Sequence, residues 1–124
     1  MTKERYVSFD TAKLLKEKGF DEPCKTYYQD ERFVDDVCTK YYQWNSKSPF
    51  EQISAPTHQM AMEWLRNTYH IHIVIQPISG KGYNGIMCDV SNFDDFNYIS
   101  ETDFFLHPEE AVEAALKHTL ENLI

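Results

Sequence analysis

The chain has 124 residues, a length that fits one domain and leaves little room for a second core. Hydrophobic residues make up 42% of it and there are only 4 Gly and 5 Pro, so the composition argues against disorder. The net charge is -8, from 12 Lys and Arg against 20 Asp and Glu, and a field of this sign disfavours direct nucleic-acid binding. The same charge permits a basic protein partner.

The N-terminal residues 1–5 lead directly into a helical pattern, without the apolar stretch of a signal peptide. This start predicts a cytoplasmic location. The pattern predicts a short helix over residues 9–18, with Ser8 as its N-cap and Asp10 in its first turn. Gly19 then ends the helix, and Phe20 folds back on the last turn.

Residues 24–50 combine strand-forming side chains with acidic pairs that interrupt their alternation. Residues 25–29 and 33–43 are rich in Tyr, Val and Phe, and these two stretches favour a hairpin. The interruptions are Asp30-Glu31 and Asp35-Asp36. Residues 45–49 are typical of a loop, because Asn and Ser compete for local hydrogen bonds and Pro cannot donate one.

After Thr57 the spacing of Ala61, Trp64, Leu65 and Thr68 predicts a helix with one buried stripe. The period then changes to two, which predicts a strand from about His70. On this strand Ile71, Ile73 and Ile75 point one way, and His70, His72, Val74 and Gln76 point the other. The apolar run is far shorter than the ~20 residues that cross a bilayer, so a membrane span is not expected.

The remaining segments complete a small fold. Pro77 ends the clean pairing, a turn at Gly80-Lys81-Gly82 closes a hairpin, and a third strand is expected over residues 96–99. A helix with an apolar face begins at Pro108. The pattern predicts a single α+β domain over residues 1–124, with two layers: an antiparallel sheet of three to five strands and two or three helices.

His70 and His72 are the candidate metal ligands, because side chains two apart on a strand leave the same face. A third ligand would come from the paired strand at Met87, Cys88 or Asp89. No Cys-x-x-Cys, phosphate loop or nucleophile motif accompanies them, so no catalytic residue and no cofactor are assigned. Three widely spaced cysteines, Cys24, Cys38 and Cys88, fit reduced thiols.

The densest aromatic region supplies the candidate interaction residues, Tyr41, Tyr42 and Trp44. Exposed rings of this kind favour protein contacts, and core packing is the alternative role. The acidic pairs Asp94-Asp95 and Glu109-Glu110 are interpreted as a solvated turn and as capping residues of the last helix.

Several stretches of the chain match a common pattern: residues 7–20, 53–57, 64–66 with 71–73, 109–111 and 114–116, together with Ala61. In these stretches the chain resembles a family of small uncharacterised proteins found in gut-bacterial genomes and their prophages. The matching stretches are caps, turns and core positions, so the resemblance implies no activity. It implies a cytoplasmic accessory protein from a phage or mobile element. His58 departs from the family pattern, in which an apolar side chain is expected.

Two functional hypotheses follow from these features. The first is a non-enzymatic accessory or protein-binding module that uses its exposed sheet face, or the region from Tyr41 to Trp44, to bind another protein or a second copy of itself. An acidic inhibitor that imitates nucleic acid is one version. The second is a small metal-binding protein or hydrolase centred on His70 and His72.

Overall fold

A computed structural model describes residues 5–35, 40–48 and 50–124 of the chain. These residues form an α+β fold with four α-helices and two antiparallel three-stranded sheets. The contacts divide the chain into two compact units, Met1–Thr57 and His58–Ile124. The expected fold class is therefore confirmed, with the strands shared between two sheets. The expectation of a single domain stays a prediction.

The first unit begins with helix α1 (Phe9–Glu17), as the sequence predicts. The Ser8 side chain accepts a hydrogen bond from the first turn at 3.2 Å and caps the helix. Gly19 takes a φ of 93°, which a side chain would oppose, and the Phe20 N–H donates to Leu15 O at 2.9 Å. Leu15 and Phe20 are both buried, so this end of the helix belongs to the core.

The expected hairpin is present as strands β1 (Thr26–Gln29) and β2 (Arg32–Asp35). Asp30 and Glu31, which interrupt the sequence pattern, are its two-residue turn and have φ values of 51° and 68°. Positive φ at both central positions defines the turn that matches the twist of paired strands. The expected strand extended to Gln43, but residues 36–39 lie outside the described part of the chain.

The loop predicted over residues 45–49 is wrong in part, because helix α2 (Trp44–Lys47) occupies most of it. The Asn45 amide nitrogen donates to Phe20 O at 2.7 Å, and its Oδ1 accepts from the backbone N–H of Ser54 at 2.9 Å. These distant partners stabilise a helical turn that local propensity disfavours. Pro49 lies outside the described residues.

Strand β3 (Ile53–Ser54) completes the first sheet, whose strand order is β2-β1-β3. Helix α1 packs against β3. The Tyr28 hydroxyl donates to Val7 O at 2.7 Å, which ties β1 to the segment before α1. This unit therefore places one helix and one helical turn on a small antiparallel sheet.

The second unit begins with helix α3 (His58–Tyr69), which also matches the predicted position. Ala61 and Leu65 are buried on the predicted stripe and Trp64 is half-buried. Thr68, expected on the same stripe, is exposed, so that assignment is wrong. The buried residues of α3 are His58, at the first helical position, Ala61 and Leu65.

The second sheet contains strands β4 (Ile71–Ile78), β5 (Gly82–Asp89) and β6 (Asn97–Glu101) in the order β4-β5-β6. Ile71 and Ile73 are buried, which confirms the two-residue period. The hairpin and the third strand are likewise confirmed. Helix α3 and helix α4 (Pro108–His118) pack against this sheet.

Pro77 lies within β4 and is paired with Tyr83, so the prediction that it ends the pairing is wrong. The Tyr83 N–H donates to Phe105 O, away from β4, so the Pro77–Tyr83 pair has no backbone bonds between its members. The Pro77 nitrogen therefore faces the edge of β4 that has no neighbouring strand in this sheet. A strand tolerates proline at such a position.

Helix α4 (Pro108–His118) continues as one π-helical segment, Thr119–Leu123. It packs closely on β5 because position 85 has no side chain: a Cβ on Gly85 would lie 2.9 Å from the Ala115 Cβ. The Glu110 side chain accepts from the backbone N–H of His107 at 3.2 Å, as expected of a residue that caps the helix.

Membrane character would require a long apolar helix among the described helices. None of them combines the length and the apolar character that crossing a lipid bilayer requires.

Candidate functional site

His70 and His72 do not share a strand face. His70 precedes β4 and has a φ of 61°, so the geometric argument for two histidines on one strand fails at His70. Its backbone carbonyl accepts from the Val90 N–H at 2.9 Å, and it continues the pairing of β4 with β5 by its main chain alone. His72 is half-buried and lies opposite Cys88.

Of the proposed third ligands, Cys88 is paired with His72 across the two strands, and Asp89 lies near enough to His70 to respond to its charge. Met87 is buried on the face opposite Cys88. The pKa of Asp89 is lowered. The largest cause is the hydrogen bond from the Ser91 backbone, and the Ser91 side chain and the charge of His70 lower it further. Within the described ranges no group of three His, Cys, Asp or Glu residues is placed to hold a metal ion.

The aromatic region of the first unit is used mainly in internal contacts. The Trp44 ring lies 4.3 Å from the Tyr27 ring and 4.8 Å from the Tyr42 ring, measured between centroids, and its Nε1–H donates to Cys24 O at 2.8 Å. The Tyr42 hydroxyl donates to Lys47 O. Tyr41 alone of the three candidates is largely exposed, at 68%. The packing alternative thus describes Trp44 better than an interaction role.

Cys24 lies next to this aromatic cluster and is buried. Burial first, and the charge of Glu22 second, raise the pKa of its thiol from 9.0 to about 12. Because the thiolate is the reactive form, Cys24 is an inert packing residue at neutral pH.

A Ser–His–Asn arrangement joins β6 to the end of the chain. Ser100 Oγ lies 3.2 Å from His118 Nε2, and the Asn122 amide nitrogen lies 3.3 Å from His118 Nδ1 and 3.3 Å from His118 O. When Asn122 donates to Nδ1, a neutral imidazole carries its proton on Nε2 and donates it to Ser100. The hydrogen bonds of His118 connect β6 to α4 and to the segment that follows it.

The largest exposed aromatic surface of the second unit lies on the β5–β6 loop and on β6. Phe93 is 88% exposed, Phe96 58% and Tyr98 61%, and the Phe93 and Phe96 rings meet edge to face at 6.5 Å. Ile99, 37% exposed, is the residue of β6 that has no partner on β5, because a bulge separates the pairs at Tyr98 and Ser100.

The β5–β6 loop is held by its own polar side chains. Asn92 accepts from the Asp94 N–H through Oδ1 at 3.0 Å and from the Asp95 N–H through its carbonyl at 3.1 Å. The Asn97 amide donates to Asp95 O at 3.2 Å. These local bonds define the turn that presents Phe93 and Phe96 to solvent.

Acidic residues accompany these rings in the sequence. From residue 82 to residue 116 the sequence has no Lys or Arg. No ion pair joins Asp94, Asp95, Glu101 or Asp103 to a cationic side chain of the described residues. The acidic–aromatic surface is defined here as Phe93, Asp94, Asp95, Phe96, Tyr98, Ile99, Glu101 and Asp103. Its charge and its rings together suit a basic protein surface.

Glu101 is the most ordered carboxylate of the acidic–aromatic surface. Its Oε2 accepts from the Asn84 amide at 3.0 Å, and its Oε1 accepts from the Tyr98 hydroxyl at 3.1 Å. Partial desolvation, and then this hydrogen bond to Glu101, raise the pKa of Tyr98. Asn84 is fully buried, and its Oδ1 has no hydrogen-bond partner in the described structure.

Comparison of the chain with protein-family models, with curated proteins and with solved structures finds no match.

The sequence pattern predicted a solvated turn at Asp94-Asp95 and a strand over residues 96–99, but it did not predict the acidic–aromatic surface. The signal that could have found the surface was the absence of Lys and Arg from residues 82–116 together with Phe93, Phe96 and Tyr98. Which of those rings are exposed depends on the sheet face and on the bulge, and neither is encoded by local sequence.

Proposed function

We propose that this protein is a non-enzymatic, cytoplasmic protein-binding module that binds a basic partner through its acidic–aromatic surface. The observation that carries the proposal is the exposure of Phe93, Phe96 and Tyr98 beside carboxylates that form no ion pair with the described residues. Exposed rings supply the contact area of an interface, and unpaired charge supplies steering and partner choice.

This surface is favoured over the region from Tyr41 to Trp44. Trp44 and Tyr42 already pack against each other and donate hydrogen bonds inside the first unit. A side chain with satisfied internal contacts offers less to a partner than an exposed ring, because binding would have to replace those contacts.

The resemblance to small proteins of gut-bacterial genomes and their prophages supports an accessory role in such a cell. The matching stretches are caps, turns and core positions, so the resemblance supports the kind of cell in which the protein acts. The proposed binding function is argued from the acidic–aromatic surface.

The test is affinity capture of the tagged full chain from lysate of its host, washed at low and at moderate salt. The variant Phe93→Ser/Phe96→Ser removes two exposed rings, and Tyr41→Ser/Phe50→Ser removes two comparably exposed rings from the first unit. We expect one basic protein to be retained by the wild type and by the second variant and lost by the first.

Moderate salt should reduce the yield of this partner, because exposed charges are screened beyond about 10 Å at 0.1 M ionic strength. A partner retained equally by both double variants would contradict the assignment of the surface. A yield that ignores salt would contradict the role of its charge.

A further inference from the structure

Strand β6 has one edge with no neighbouring strand in its sheet. Its other edge pairs with β5. The Thr102 N–H donates to Gly85 O, toward β5, and successive residues of a strand direct their backbone groups to opposite edges. The N–H and C=O of Glu101 therefore face the open edge. An extended segment of another chain can pair with such an edge by strand addition.

The Glu101 side chain belongs to this edge strand, and hydrogen bonds to β5 and within β6 fix the orientation of its carboxylate. The Tyr98 hydroxyl and the Asn84 amide each hold one of its oxygens, and Asn84 is itself fully buried. Each carboxylate oxygen keeps lone pairs for a further donor. A carboxylate held by two donors loses little freedom on binding, which favours a planar cation that bonds both oxygens at once.

The surrounding charge selects the class of occupant. A second copy of this chain, paired edge to edge, would bring Asp95, Glu101 and Asp103 against their own kind, and like charges across a strand pair are destabilising. A basic segment instead meets carboxylates that are not ion-paired within the part of the chain that the structure describes. Phe96 and Tyr98 offer apolar contact for the stem of a long cationic side chain.

We infer that the partner presents an extended, arginine-bearing segment that adds to the open edge of β6 and pairs its guanidinium with the Glu101 carboxylate. This inference rests on the proposed function and specifies the chemistry of its partner. Arginine is favoured over lysine because its planar fork matches both carboxylate oxygens, whereas an ammonium group acts as a point charge.

The experiment begins with selection of peptides of about ten residues, the length of a long strand, from a random displayed library against the full chain. The best peptide is then titrated by fluorescence anisotropy against the wild type, Glu101→Gln and Glu17→Gln. Glu17 is an exposed residue of α1, so its variant changes the net charge equally at a distant position in the sequence. Thermal unfolding checks that both variants fold.

The expected result is enrichment of arginine in the selected peptides and about tenfold weaker binding to Glu101→Gln, the loss typical of one charge-assisted hydrogen bond. Glu17→Gln should bind like the wild type. Replacing the arginine of the peptide by lysine leaves the protein untouched and should also weaken binding. Hydrogen exchange at the Glu101 amide should slow in the complex, as pairing at the edge requires.

Peptides without arginine enrichment, equal binding to Glu101→Gln, unchanged exchange at Glu101, or the absence of any selected peptide would each overturn the inference. Its failure is distinguishable from failure of the proposed function. If Glu101→Gln still captures a native basic partner that Phe93→Ser/Phe96→Ser loses, the binding surface stands and the role of Glu101 does not.

Discussion

His58 Nε2 lies 3.0 Å from Glu113 Oε1, and this pair joins the first turn of α3 to α4 with both side chains largely shielded from solvent. His58→Leu places an apolar side chain at this position but removes a partner of Glu113. We expect the free energy of unfolding to fall by about 1–3 kcal/mol, the cost of a buried polar group that loses a hydrogen bond.

The double variant His58→Leu/Glu113→Leu should recover much of that loss, because two apolar side chains often replace a buried pair without cost. Urea unfolding of the wild type, His58→Leu, Glu113→Leu and the double variant measures the coupling between the two residues. If the stability losses of the two single variants add up to the loss of the double variant, the pair contributes no interaction energy of its own.

Gly85→Ala should destabilise the second unit by about 1–3 kcal/mol, the usual cost of overpacking. The new Cβ would lie 2.9 Å from the Ala115 Cβ and 3.3 Å from Ala111 O, so β5 and α4 would have to separate. Thermal and urea unfolding measure the effect. Adding Ala115→Gly removes the nearest contact, so the double variant should lose less than the sum of the two single losses.

Cys24 predicts a loss of stability at alkaline pH. Its pKa is raised from 9.0 to about 12 in the folded chain, so the unfolded thiol ionises first. The stabilising contribution is complete below about pH 9 and is lost as the pH rises toward 12, by about 1 kcal/mol per unit over this window. Comparing Cys24→Ala with the wild type from pH 8 to pH 10.5 by urea unfolding isolates this residue; parallel curves would disprove the assignment.

Glu31→Gly should stabilise the β1–β2 hairpin by about 1 kcal/mol, because Glu31 has a φ of 68° that glycine adopts without a steric cost. The matched control is Glu22→Gly, at an exposed residue whose φ is not positive. Unfolding temperatures should rise for the first variant and stay level or fall for the second. A fall in both would show that backbone entropy outweighs turn strain at this position.

The sequence predicted those parts of the fold that depend on local periodicity. Helix α1 with its Ser8 cap and Gly19 stop, the alternation of Ile71 and Ile73, and the start of α4 at Pro108 are all confirmed. Each depends on contacts within one or two turns of the chain, or on the two-residue period of a strand.

The remaining features depend on residues far apart in the chain. Helix α2 forms because Asn45 bonds Phe20 and Ser54, and no local pattern indicates those partners. The exposure of Thr68 and the position of Pro77 within β4 likewise follow from tertiary packing and from edge location. For the candidate site, the shared face of His70 and His72 failed because one positive φ at His70 removed it from the strand.

Pro77 makes the two edges of the second sheet different in their hydrogen-bonding groups. At the free edge of β4 it has no N–H to offer an incoming strand, whereas the free edge of β6 keeps the N–H of Glu101. An incoming strand can therefore bond to the N–H of Glu101 at β6 but meets no such donor at Pro77 on β4. The same proline that a strand tolerates at its margin thus disfavours the pairing of another chain with this edge, a contact that can lead to aggregation.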